Sequence, residues 1–82
     1  MRPYKSTYHS KHCGIELVMN EDCKVTITVK TKFGSKILCS WNIFQSLEEG
    51  LKHIKYIPNK TARKWCKTEV MQLDYLLSFY SV

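Results

Sequence analysis

The sequence predicts an α+β domain: a three-stranded antiparallel meander with one face covered by two C-terminal helices. Three observations point there. Residues 23 to 33 alternate strictly, with Cys23, Val25, Ile27, Val29, Thr31 and Phe33 set against Lys24, Thr26, Thr28, Lys30 and Lys32. Apolar residues flank that run at odd positions on both sides. Beyond residue 46 the apolar period lengthens from two to that of a helix.

The central strand, 23–33, is rich in β-branched residues and has one wet side. Its neighbours are placed by parity. Ile15, Leu17 and Met19 precede it, and Ile37, Cys39 and Trp41 follow it. Directly opposed residues share a face, so odd faces odd only when each loop holds an odd number of residues. A loop at Asn20-Glu21-Asp22 pairs Met19 with Cys23, Leu17 with Val25 and Ile15 with Ile27. An odd loop around Gly34-Ser35 does the same on the other side. A two-residue Gly-Ser turn is rejected because it sets Trp41 and Ile37 beside Lys30 and Lys32. Val25, Ile27, Val29, Ile37, Cys39 and Trp41 are therefore expected to be buried together.

Ser46 followed by Glu49 is a capping box, and Leu47, Leu51 and Ile54 repeat at helical spacing. Pro58 ends this helix near Ile57. A second helix is expected from Lys60 onward, with Trp65, Cys66, Val70, Leu73, Leu77 and Tyr80 as its buried stripe. Residues 75–82 are apolar enough to form a strand instead. Residues 1–13 show no sustained period and read as a basic arm or irregular lead-in to a single domain spanning 1–82.

The chain has 82 residues, and its 44% hydrophobic content suffices for a packed core. Its apolar runs are short and broken by charge, which argues against a membrane span. The opening Met-Arg-Pro-Tyr-Lys-Ser has no apolar stretch, which argues against a secretory signal. A cytoplasmic location is expected, that of the host cell if the protein is viral. Cys13, Cys23, Cys39 and Cys66 are then expected to be reduced.

A metal site built on His9, His12 and Cys13 is disfavoured by the spacing, because no Cys-x-x-Cys pair exists. No metal and no cofactor are expected. Cys39 and Cys66 fall at inward positions, where a thiol is inert. His53 stands among Lys52 and Lys55, and the paired Glu48 and Glu49 sit at a helix start. No catalytic constellation results, and an enzyme is not expected.

Binding remains. The net charge is +6, and it is laid out in blocks. Lys24, Lys30, Lys32 and Lys36 occupy even positions on the strands, which forms one basic face. Lys60, Arg63, Lys64 and Lys67 form a second patch where a helix starts, a place that disfavours cations. Reversing Arg63 and Lys64 is therefore expected to favour the helix slightly. These residues make the expected partner acidic, either nucleic acid or a larger protein. Phe33, Trp41 and Trp65 are placed inward, which weighs against base stacking.

Two functions follow. The first is a small, non-catalytic, basic protein acting on nucleic acid or on a nucleic-acid-handling complex. A three-stranded sheet followed by a helix is similar to the architecture of some integrase-arm DNA readers, an analogy of fold alone. The second is a protein inhibitor that blocks a host enzyme or defence complex. In size and charge pattern the chain resembles small accessory proteins of phages and mobile elements. Tyr4, Tyr8, Tyr56 and Tyr75 fall outside the firm core and would serve as its anchors.

Overall fold

The computed structural model describes residues 3–80. Strands β1 (Tyr4–His9), β2 (Gly14–Met19), β3 (Lys24–Thr31) and β4 (Gly34–Asn42) form one antiparallel sheet in chain order. Helices α1 (Glu48–Ile54) and α2 (Lys60–Tyr80) follow. The sheet thus has four strands rather than three.

The added strand, β1, lies inside the segment read as an arm. Its alternation sets Tyr4, Ser6 and Tyr8 against Lys5, Thr7 and His9, with the first set only half buried. Such a pattern carries little hydrophobic contrast, so periodicity alone misses it. Long-range contacts hold it instead. The Tyr4 hydroxyl donates to Glu69 Oε2 at 2.9 Å, and the Tyr8 ring lies 5.6 Å from that of Trp65. A four-residue loop, Ser10 to Cys13, joins β1 to β2. It closes through Ser10 N–H to the Cys13 carbonyl at 2.9 Å and the Ser10 hydroxyl to the same oxygen at 2.8 Å.

Between β2 and β3 the expected parity holds but the register is two residues further on. Met19 faces Val25, Leu17 faces Ile27 and Ile15 faces Val29. Cys23 belongs to the turn, not to a pair with Met19. Asn20 organises that turn, since its Oδ1 accepts the Asp22 and Lys24 N–H groups at 2.9 and 3.0 Å. Cys23 is held there at a φ of 65°, unusual for a residue with a side chain.

Between β3 and β4 the odd loop is overturned. The turn is the two-residue Lys32-Phe33, with Thr31 opposite Gly34 at a φ of 123°. An irregularity at Leu38 then shifts the register: Thr28 faces Ile37, whereas Ile27 faces Cys39. The bulge restores the expected odd-to-odd parity beyond it, where Val25 faces Trp41, which is buried. Toward the turn, parity stays reversed. Ile37 is 62% exposed beside Thr28 rather than buried, and Phe33 is 88% exposed at the tip rather than inward. Val29 and Cys39 are half buried.

The buried cluster joins Ile15, Leu17, Val25 and Ile27 of the sheet to Ala62, Cys66, Val70, Leu73 and Leu77 of α2. Helix α2 touches β1 and β2, and α1 touches β4 and α2. Trp65 is only partly buried, against Tyr8. The side chain of Tyr80 lies outside the described residues, as do Ser81 and Val82. The segment from Tyr75 to Tyr80 is helical, not a strand. Helix α1 ends at Ile54, three residues before the expected end, and the chain turns through Tyr56 N–H to His53 O and Ile57 N–H to Ile54 O, both at 3.0 Å. Half of the capping box is present: Ser46 Oγ accepts the Glu49 N–H at 3.4 Å. The Ser46 N–H goes to Asn42 O instead.

All four thiols are unpaired. Burial pushes the Cys66 thiol up to about 12, with Cys39 and Glu69 adding to it. Burial, then Glu49, pushes Cys39 up to about 11. An unfolded thiol ionises near 9.0, so between there and the folded values the unfolded state holds fewer protons. Stability is then intact below pH 9 and should fall as pH rises toward 12. Urea midpoints at stepped pH should show this decline, and Cys66→Ala should flatten it whatever its own cost. An unchanged slope in that variant would refute the assignment.

Candidate nucleic-acid interface

An antiparallel meander puts alternate loops at opposite ends. The β1–β2 and β3–β4 loops share one end, and the α1–α2 connection returns to it. Pro58 of that connection lines one groove with His9 to Gly14 and Lys30 to Phe33. Lys11 and Lys32 therefore gather at this end, and Lys55 joins them over Tyr56, which lines a groove with Phe33. The other end carries Glu21 and Asp22 beside the start of α1 with Glu48 and Glu49. It is tied by Asn42 Nδ2 donating to Asp22 O and Ile43 N–H to Cys23 O, both at 3.0 Å. Blocks of charge in the sequence become poles in the fold.

The basic sheet face predicted from even positions is divided. Lys24 faces Asn42 at the acidic end. Lys30 lies on the open face, with its Nζ 3.3 Å from Glu16 Oε2, and Lys5 approaches the same oxygen at 3.7 Å. The hydrogen bond from Lys30, then the charges of Lys30 and Lys5, hold the Glu16 carboxyl below its usual range. Lys32 sits in the turn with its Nζ 5.0 Å from the Phe33 ring centre. Lys36 faces Val29, so the two-residue turn has set it on the helix side. Thr26 and Ser40 join hydroxyls at 3.0 Å across the remaining open face.

The helix patch stays whole. Positions 60, 63, 64 and 67 lie within two turns on one side of α2. Lys60, Arg63, Lys64 and Lys67 rim a groove of about 480 Å³ between the helices. Leu51, Ile54 and Lys55 of the facing segment complete it, and no carboxylate lines it among the described residues. The first turn of α2 holds no acid to offset these cations. Asn59 caps it instead, with Oδ1 accepting the Ala62 N–H at 3.0 Å. Arg63 also has a structural partner: its Nη1 donates to the Ile57 carbonyl at 2.7 Å. Reversing Arg63 would break this link, so the expected gain in helix stability does not apply to it.

Sequence patterning missed Lys55, Lys11 and the exposure of Phe33, although it did place Tyr56 outside the core as a candidate anchor. Tyr56 is 65% exposed, and Lys55 Nζ lies 5.2 Å from its ring centre. Phe33, Lys36, Ile37, His53, Tyr56 and Pro58 line a second groove of about 630 Å³. A Lys-Tyr pair just before a proline was the available signal.

A separate apolar stripe lies on the outside of α2, where Met71, Tyr75, Leu76 and Phe79 are exposed. The Tyr75 and Phe79 rings meet edge to face at 5.0 Å. Among the described residues no helix is long and apolar enough to cross a membrane. No protein-family model, curated protein or solved structure matches the chain.

Proposed function

We propose that the chain is a small, non-catalytic protein that binds nucleic acid through its phosphates. The groove between α1 and α2 carries this reading. Lys55, Lys60, Arg63, Lys64 and Lys67 converge on one concavity that no acid lines among the described residues. Cations at the start of a helix cost stability, and phosphate contact offsets that cost. The raised thiols of Cys39 and Cys66 are poor nucleophiles at neutral pH, in keeping with a role in binding.

Salt titration tests it. Binding to a labelled oligonucleotide should weaken steeply with salt. Lys60→Gln with Lys64→Gln and Lys67→Gln should lower the log–log slope by roughly 0.7 to 0.9 per contact removed. Lys24→Gln, at the acidic end, should change neither slope nor affinity. A triple variant that binds as the parent does, or binding indifferent to salt, would refute the proposal.

The α2 stripe favours a second reading, a protein inhibitor docked on a host enzyme or defence complex. Its exposed Met71, Tyr75 and Phe79 are of the kind enriched at protein interfaces. Binding by that face should withstand both salt and nuclease and should fail in Tyr75→Ala.

A further inference from the structure

The geometry points to single-stranded nucleic acid as the ligand of the hairpin end, with bases stacked on Phe33 and Tyr56. This rests on the nucleic-acid reading above and specifies its substrate.

Phe33 is 88% exposed at the apex of a two-residue turn. An open apolar ring there gains nothing from the core. Its turn is fixed by the Phe33 N–H, which donates to Thr31 Oγ1 at 3.2 Å. Tyr56 is 65% exposed, and its own N–H is fixed to His53 O at 3.0 Å. Both rings line the same groove of about 630 Å³. That space is within the range that small organic ligands occupy, and a nucleobase is of that class.

The charge around the rings matches the ligand. Lys32 and Lys55 hold ammonium groups over the two rings, 5.0 and 5.2 Å from their centres. Lys36, set on this side by the two-residue turn, lines the groove as well. The adjoining groove shares Thr31, Phe33 and Pro58 and adds Lys11, Lys30 and Lys32. No carboxylate lines either groove among the described residues. An aromatic ring with an ammonium over one face leaves its other face to take a base, with the phosphate drawn to the ammonium.

Strandedness follows from the same geometry. A duplex hides its base faces in the stack, so outward rings at this end have nothing to engage there. An unpaired strand presents them freely, and stacking accepts any base because each has a π-face.

Anisotropy with a labelled twelve-nucleotide oligothymidine and with a duplex of equal length tests this. Phe33→Ala and Tyr56→Ala should each weaken single-strand binding by roughly 5- to 150-fold, the loss of one stacked base. Both should leave the salt slope, duplex binding and the melting temperature unchanged. Phe33→Trp should retain binding. If the parent binds both oligonucleotides with a steep salt slope and Phe33→Ala is silent, the phosphate-binding proposal stands and this inference fails. Equal loss of single-strand and duplex binding in the alanine variants also overturns it. A parent that binds neither refutes both.

Discussion

Gly50→Ala should destabilise the protein by roughly 1–3 kcal/mol or more, although alanine is the better helix former by about 1 kcal/mol. Gly50 is buried in α1, and the six-membered ring of Trp41 lies directly against it. An added Cβ would overlap the ring carbons. The indole cannot easily move aside, because its Nε1–H donates to the Ser46 carbonyl at 2.7 Å. The methyl group therefore wedges α1 away from β4. Urea midpoints of Gly50→Ala, Trp41→Leu and the pair should show the alanine costing less once the indole is gone. An alanine variant as stable as the parent would show that α1 packs elsewhere.

Ile27→Ala should cost about 2–5 kcal/mol, a large share of the stability of so small a domain. Ile27 has no exposed surface, sits on an inner strand, and faces Leu17 on one side and Cys39 on the other. Ile37→Ala is the control, since Ile37 is the same residue type ten positions on, at 62% exposure. Its cost should stay within about 0.5 kcal/mol. Equal costs at the two positions would mean that the register shift at Leu38 is absent.

The contrast between those two isoleucines shows what was legible in the sequence. Alternation identified β2, β3 and the far half of β4, and it put Trp41 on the correct face. It carried no sign of the extra residue at Leu38, because a bulge leaves the composition of a strand unchanged and resets only the count. The two-residue turn puts Phe33 at the tip and reverses the parity of Lys36 and Ile37, and that single extra residue restores it only beyond Leu38. Strand β1 escaped for another reason: tyrosine and serine face inward there, and Glu69 and Trp65, far along the chain, supply their partners. Ile43 and Ile57 are fully or nearly buried in connecting segments, where one apolar residue has no period to reveal it. Lys60, Arg63, Lys64 and Lys67 were legible because helical spacing alone brings them together. Their companion Lys55 comes from another element, so only the fold shows it.

The opposed poles of charge have a kinetic meaning. A body 42 Å long and 19 by 16 Å across, basic toward one end and acidic toward the other, carries a permanent dipole moment. In the field of a polyanion such a body feels a torque before it touches anything, and it approaches with Lys11, Lys32 and Lys55 leading. Fewer collisions are then wasted on the wrong orientation, so association outpaces that of a uniformly charged globule of equal net charge. The alignment acts only across a Debye length, about 8 Å at physiological ionic strength, so it operates during the last approach.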